Sequence, residues 1–339
     1  MMYSKWNDPN YYRRVTEELA AAPVPKTPAL AIKTGESIRH WPAEHCPTSV
    51  EALRALLDEI DLAIIESVSV AKYLTSLQVF EYVVLRGFDE KRIKVRKRIN
   101  KMVKHRVIRE SELMLPGADQ GLRYYELDYF GFHIALEQGI QFHKGNCYVS
   151  YSKRMEGGME EDTPCDVKRV LVGNQVVLGL LKSEAKMERF GIMETMRTVD
   201  PFHSIGDCII RTAAIVRIDE NSVLAYEVVR DTQESLAKIQ DKVKRYYELI
   251  NNKMYLLNNY HGDKSYPQMI ICGESYEHNK KIAEHLRECG LWNVENPILF
   301  TEDLLNIKNS LASIYRLKDD NSQIWYTLPR RMKGSKHIA

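Results

Sequence analysis

The clearest hydrophobic pattern in the chain lies between residues 89 and 106. Val95, Ile99, Met102 and Val103 follow one another at helical spacings and fall on one side of a helix with 3.6 residues per turn. Most other positions of this segment are Lys, Arg or Asn. The alternation predicts an amphipathic helix with one buried apolar side and one exposed basic side.

Patterns on either side of this segment predict a small domain of helices and a hairpin. Two further helices and then two strands are predicted at residues 61–68, 76–86, 107–114 and 122–127. Thr75 is a favourable N-cap for the second helix, and Gly87 would end it. Residues 116–121 are rich in turn formers. Three helices followed by a hairpin are typical of a winged helix-turn-helix.

The basic side of the predicted helix concentrates the charge of the chain. Residues 89–106 contain nine Lys or Arg and two acids, whereas the whole chain has a formal charge of +2. The two acids, Asp89 and Glu90, are expected at the helix start, where negative charge is favourable. Concentrated positive charge indicates a polyanionic partner, and double-stranded DNA is the commonest one.

In a winged helix the third helix enters the major groove. The expected DNA contacts are Lys94, Arg96, Lys97, Arg98, Asn100, Lys101 and Lys104. We expect Lys97, Asn100 and Lys101 to lie nearest the bases. Asparagine suits a bidentate contact with adenine, and lysine suits the acceptors of guanine. The sequence therefore predicts direct readout by this helix.

The remaining basic side chains suit the DNA backbone. Arg96, Arg98 and Lys104 are expected to bind phosphates and so fix the position of the helix along the DNA. The hairpin is expected to contact the DNA backbone. Two alternatives stay open. A basic helix can simply be a solvated surface without a ligand, and some winged helices dock other proteins.

Length and composition set the outer limits. A chain of 339 residues should hold about two domains. Its 44% hydrophobic and 28% charged residues are ordinary for a globular protein. No apolar run reaches the roughly 18 residues that a membrane span needs, and no secretory signal is expected at the first residues. Six scattered cysteines without a CxxC pair indicate reduced thiols in a cytoplasmic protein. No nucleotide-binding or serine-hydrolase motif is present, and no metal or cofactor is expected.

The second half of the chain predicts an α/β domain. Its expected elements are a helix at 167–184, strands at 208–218 and 223–230, a helix at 233–251, a strand at 268–272, a helix at 276–289 and a strand at 298–300. This order is typical of a mixed central sheet covered by helices. The expected domains are residues 1–48 (extension and linker, with a helix at 11–21 and a strand at 29–33), 49–150 (winged helix), 165–330 (α/β domain) and 331–339 (basic tail).

Two phrases of the sequence resemble one family. KRINKMVKHRVIRES, which begins at Lys97, and RTAAIVRIDENSVLAYEVVRDTQESLAKIQDKVKRY, which begins at Arg211, resemble motifs of the replication-relaxation family of plasmids and integrative elements in Gram-positive bacteria. The resemblance covers roughly residues 55–330. It implies an N-terminal winged helix and a second domain similar to the PD-(D/E)xK nuclease fold. It also implies a role in the replication, transfer or transcriptional control of a mobile element.

The nuclease pattern is incomplete in this chain. Active members of that fold hold Mg²⁺ between two acids on adjacent strands and use a lysine two residues after the second acid. Glu227 matches the second acid, but Val229 stands at the lysine position and Thr212-Ala213 at the first acid. Glu194 or Asp207 from nearby, and Lys242 from the following helix, are the candidate substitutes. Glu227 and Lys242 are therefore weak catalytic candidates, and we expect an inactive domain.

A structural role for Glu227 is the simpler expectation. A carboxylate in an apolar strand needs a partner, and Arg211, Arg230 and Lys242 are the candidates. The expected protein is a sequence-specific, homodimeric DNA-binding protein whose second domain makes dimer or partner contacts. The alternatives are a metal-dependent endonuclease or nickase using Glu227, and a scaffold that docks a relaxase or replication initiator.

Overall fold

The computed structural model describes residues 5–6, 30–31, 35–41, 49–140, 162–198, 209–219, 221–251, 255–257 and 267–331. The chain divides into two compact units. We call residues 27–174 the N-terminal unit and residues 1–26 with 175–338 the C-terminal unit. The division falls inside a helix, whereas the sequence predicts a boundary between residues 150 and 165.

The described residues form a mixed α+β structure, so the fold class is confirmed at that level. The α-helices are α1 (Val50–Arg54), α2 (Glu59–Ala71), α3 (Ser76–Leu85), α4 (Arg92–Lys104), α5 (Tyr129–Glu137), α6 (Pro164–Lys182), α7 (Ser235–Asn251), α8 (Tyr276–Glu288) and α9 (Asp303–Lys308). The β-strands are β1 (Lys5–Trp6), β2 (Ser37–His40), β3 (Ile108–Met114), β4 (Leu122–Leu127), β5 (Arg189–Ile192), β6 (Thr195–Thr198), β7 (Ile209–Arg211), β8 (Ala214–Asp219), β9 (Ser222–Val228), β10 (Tyr255–Leu257), β11 (Gln268–Gly273), β12 (Leu299–Glu302), β13 (Ile314–Leu317) and β14 (Gln323–Tyr326).

Local capping fixes the ends of the first long helices. Asp58 caps α2, and the Asp61 side chain accepts a return hydrogen bond from the backbone of Asp58. Thr75 is confirmed as the N-cap of α3, where Thr75 and Gln78 form the same reciprocal pair. Gly87 follows the C-cap of α3 with a φ of 90°, a conformation that glycine adopts without strain. The sequence thus sets these boundaries through short-range hydrogen bonds.

Strands β3 and β4 form an antiparallel hairpin at the predicted position. Strand β2 pairs with the other edge of β3, which gives a three-stranded sheet of order β2-β3-β4. An isolated antiparallel bridge joins Leu74, between α2 and α3, to Tyr125 in β4 through N–H···O distances of 3.1 and 2.8 Å. The bridge ties the start of α3 to the hairpin.

The segment before residue 49 contributes two short strands, β1 and β2. The sequence predicts a strand at 29–33, of which only residues 30 and 31 are described, and neither lies in a strand. The side chains of β2 (Ser37–His40) are mostly exposed. An exposed edge strand has no hydrophobic pattern of its own, because its position is set by hydrogen bonds to its neighbour. The predicted helix at 11–21 and the tail from residue 332 lie outside the described residues.

The C-terminal unit is built on an eight-stranded sheet of order β1-β14-β13-β12-β11-β9-β8-β5. Strands β5, β8 and β9 are antiparallel neighbours, and β9, β11 and β12 are parallel. Parallel neighbours require crossover connections, which α7 and α8 supply. Ile239 and Val243 of α7 and Ile282 of α8 share one apolar core with Ala225 and Ile271 of the sheet. Burial of these side chains holds the helices on the sheet.

The predicted strand at 208–218 is wrong as a single element, because two strands of different sheets occupy it. Strand β7 pairs with β6 in a sheet of order β10-β6-β7, whereas β8 pairs with β5 and β9. The break lies at Thr212 and Ala213, whose backbone groups hydrogen-bond to those of Glu194 and Met193. A continuous apolar run carries no signal for this change of sheet.

Within the described ranges no helix is long and apolar enough to cross a membrane. The described cysteines, Cys165, Cys272 and Cys289, are free thiols. The other three lie outside the described residues.

Candidate nucleic-acid interface

The apolar side of α4 is buried as the sequence predicts. Val95, Ile99 and Met102 are buried in the N-terminal unit, and Val103 is half-buried. Their spacing places them within one narrow sector of the helix. Hydrophobic burial therefore fixes which side of α4 faces the solvent.

The opposite side of α4 is an exposed stripe. Ile93, Lys97, Asn100 and Lys104 follow one another at spacings of four, three and four, and all are exposed. At 3.6 residues per turn these are the positions farthest from the buried side. Ile93 is absent from the predicted DNA contacts, although its spacing from Lys97 could have identified it.

Three further predicted contacts flank the exposed stripe. Lys94, Arg96 and Lys101 are all exposed. Lys94 Nζ lies 3.5 Å from a carboxylate oxygen of Glu90, and Lys101 Nζ lies 3.4 Å from the backbone oxygen of Leu56. Contacts this long at exposed side chains are weak and are readily exchanged for others. The three cations remain accessible to a ligand.

Arg98, a predicted phosphate contact, has close acidic partners within its own unit. Its Nη1 donates to both carboxylate oxygens of Asp58 at 2.8 and 2.7 Å and to Asp61 Oδ1 at 2.9 Å. Asp61 is only 2% exposed, so it needs this positive partner. Arg98 therefore ties α4 to the start of α2. A phosphate contact by Arg98 would compete with these ion pairs, so its assignment stays a prediction.

The start of α4 also differs from the prediction. The helix begins at Arg92 with Lys91 as N-cap, and no acidic residue lies in its first turn. Asp89 and Glu90 precede the helix instead. The partial positive charge of a helix N-terminus is therefore added to the side-chain charge at this end.

The tip of the β3–β4 hairpin contributes little positive charge. Residues 115–121 contain no Lys or Arg, and Asp119 within them is exposed. Arg123, in β4, lies 3.3 Å from Glu110 and 3.6 Å from Glu112. Of the two elements, α4 and not the hairpin supplies the positive surface.

In the C-terminal unit, Glu227 and Lys242 are brought together. Glu227 is 3% exposed, and its Oε1 lies 2.7 Å from Lys242 Nζ, which also donates to the backbone oxygen of Arg211 at 3.1 Å. The expectation of a charged partner for Glu227 is thus confirmed, and Lys242, one of the three candidates, is such a partner. A lysine from α7 stands beside the acid of β9.

The remaining positions of the nuclease pattern are apolar or uncharged. Thr212 and Ala213 are buried where the first acid is expected, and Val229 is buried where the lysine is expected. Glu194 contacts Thr212 through its backbone oxygen at 3.0 Å, and Asp207 lies outside the described residues. Across the described part of the chain, no three His, Cys, Asp or Glu side chains are grouped as a metal site would require.

A buried polar cluster lies at the carboxyl ends of β9, β11 and β12. The Arg230 guanidinium is wholly buried, donates to both oxygens of Asp303 at 2.6 and 2.9 Å, and reaches the backbone oxygen of Cys272 at 3.2 Å. Beside Asp303, the Glu302 carboxylate accepts a hydrogen bond from Tyr315 at 2.9 Å. Burial, with a smaller contribution from the Asp303 charge, raises the pKa of Glu302 to about 7.

Replacement of Glu302 with glutamine is expected to flatten the pH dependence of stability. Because the pKa of Glu302 rises on folding from 4.5 to about 7, the folded state holds a proton that the unfolded chain releases. Stability is therefore lost as the pH rises from about 4.5 to 7, by roughly 3 kcal/mol. Denaturant unfolding of the wild type and Glu302→Gln at pH 5, 6, 7 and 8 measures this. Parallel curves for the two proteins would contradict it.

Comparison with known proteins does not extend this description. No family model, no curated protein and no solved structure matches the chain. Among the described residues, the exposed basic side of α4 remains the main feature that indicates a ligand.

Proposed function

We propose that the N-terminal unit is a winged helix-turn-helix domain that binds double-stranded DNA in a sequence-dependent manner through α4. The observation that carries the proposal is the exposed stripe of α4 with its flanking cations. The order α2, α3, α4, β3, β4 supports it, as does the Leu74–Tyr125 bridge that ties α3 to the hairpin. A rigid helix with one buried and one basic exposed side suits insertion into the major groove.

In this proposal some exposed side chains of α4 contact bases and others contact phosphates. Lys97, Asn100 and Lys101 approach the base edges, where an amide or an ammonium group can pair with purine acceptors. Lys94, Arg96 and Lys104 contact phosphates and set the register. A phosphate contact by Arg98 would compete with the two carboxylates that hold its guanidinium.

The proposal for the C-terminal unit is a catalytically inactive nuclease-like domain that makes dimer or partner contacts. The series α6, β5, β8, β9, α7, β11, with β9 and β11 parallel, supports the likeness to the PD-(D/E)xK fold. Ala213 and Val229 argue against catalysis, because alanine offers no side-chain ligand for a metal ion and valine cannot stabilise phosphoryl charge. Together with the resembling sequence motifs, this supports a role in replication, transfer or transcription of a mobile element.

One observation favours a second candidate function, a metal-dependent endonuclease. The 2.7 Å contact between Glu227 and Lys242 puts an ammonium group beside the acid, although from a helix and not from the strand. Such a lysine could replace the missing one in the strand. The test of the main proposal must therefore also detect cleavage.

The deciding experiment is a salt titration of binding to DNA that flanks the gene encoding the chain. We expect a sequence-dependent gel shift whose log Kobs falls against log salt with a slope of about −3 to −6, as release of counterions by a few cations requires. Supercoiled DNA with Mg²⁺ or Mn²⁺ should stay intact. Metal-dependent nicking that Glu227→Gln removes would favour the endonuclease. Absence of any shift would favour a protein-docking scaffold.

A further inference from the structure

Ile93 is an exposed apolar residue within a basic surface. Its side chain is 65% exposed in the first turn of α4, whereas Val95, Ile99 and Met102 of the same helix are buried. It belongs to the same exposed stripe as Lys97. Hydrophobic burial within the unit thus does not account for an isoleucine here, and a bound partner would remove it from water.

The surroundings of Ile93 define the chemistry of that partner. Arg92, Lys94, Arg96 and Lys97 are its neighbours along the helix, and all are exposed. A surface that covers Ile93 must therefore carry dense negative charge and still offer an apolar group. The major groove of duplex DNA meets both conditions, because phosphates line it and the C5-methyl group of thymine projects into it.

The spacing of Ile93, Lys97 and Asn100 along α4 allows each of them to contact a different base pair of one short DNA site. With a rise of 1.5 Å per residue, Ile93 lies about 6 Å from Lys97 and about 10 Å from Asn100 along the helix axis. These separations correspond to roughly two and three base-pair steps of about 3.4 Å. Residues at the N-terminal end of such a helix commonly approach base edges.

We propose that Ile93 is a specificity-determining residue that contacts the C5-methyl group of a thymine in the major groove, two or three base pairs from the bases contacted by Lys97 and Asn100. The inference rests on the proposed DNA-binding function. It adds a preference for thymine at one position, which the cationic residues of α4 do not provide.

Replacement of single thymines by uracil tests the inference, because uracil lacks only the methyl group. In the full-length protein, uracil at one position of the protected site should weaken wild-type binding about fourfold, the value of one buried methyl group. Ile93→Ala should weaken binding to thymine-containing DNA at least as much and should be insensitive to uracil at that position. Equilibrium titrations of the four protein–DNA combinations measure this coupling.

Val294→Ala is the matched control, since Val294 is 64% exposed but lies in the C-terminal unit. It should bind both DNAs as the wild type does. If Ile93→Ala keeps full sensitivity to uracil at every position while specific binding persists, the role of Ile93 is overturned and the DNA-binding function stands. If the wild type binds no duplex, both proposals are overturned.

Discussion

Replacement of Lys97 and Lys101 with alanine should abolish sequence-specific DNA binding while leaving the fold intact. Both side chains are exposed on α4, so their removal creates no cavity and leaves no buried charge. Loss of a base contact typically costs about 1–3 kcal/mol, so the affinity of the double variant should fall about 100-fold or more. Gel shift or fluorescence anisotropy measures the affinity, and thermal unfolding should give an unchanged Tm.

Two comparisons make that experiment specific. Lys238→Ala with Lys244→Ala removes the same charge from exposed positions of α7 and should leave binding nearly unchanged. Arg98→Ala should instead lower the Tm, because it leaves Asp61 buried without its positive partner. Unchanged binding in the Lys97 and Lys101 variant would overturn the assignment of α4 as the recognition helix.

Replacement of Asp303 with alanine should produce the largest loss of stability in the C-terminal unit. The Arg230 guanidinium has no solvent exposure and directs two hydrogen bonds at Asp303. Removal of one member of a buried ion pair leaves an uncompensated charge, which costs about 3–5 kcal/mol. Chemical denaturation of the full-length protein measures the change in the free energy of unfolding.

Variants of graded severity support the interpretation. Asp303→Asn keeps the shape and one acceptor, so its loss should be smaller than that of Asp303→Ala. Glu234→Ala removes an exposed pair with Lys238 on α7 and should change stability too little to measure. A loss for Asp303→Ala as small as that for Glu234→Ala would show that the buried pair contributes little to the fold.

Residue spacing and residue type along the sequence correctly predict many helices and strands and several side-chain contacts. The helical spacing of Val95, Ile99 and Met102 identifies both α4 and its buried side, and Thr75 is the N-cap that its residue type suggests. The need of Glu227 for a partner also follows from sequence, since an acid in an apolar strand is costly alone. These features depend on neighbours within one or two turns or on residue chemistry.

Other features depend on residues far apart in the chain. The sequence pattern does not identify strand β2 or the antiparallel strands β13 and β14, because such strands are defined by the neighbours they pair with. The break between β7 and β8 has no signal in the sequence for the same reason. The sequence also could not distinguish Arg98 from Arg96, since the acids that engage Arg98 lie 37 and 40 residues earlier.

The spacing of apolar residues is therefore sufficient to establish that α4 exists and which side it buries. The residue types in the same segment give its positive charge. Only the tertiary structure selects which of those charges remain accessible, by bringing the carboxylates of α2 to Arg98 and leaving the stripe from Ile93 to Lys104 exposed. The physical reason is the range of the forces involved. Helix propensity and capping act over a few residues, whereas ion pairing and burial depend on contacts that exist only after the chain has folded.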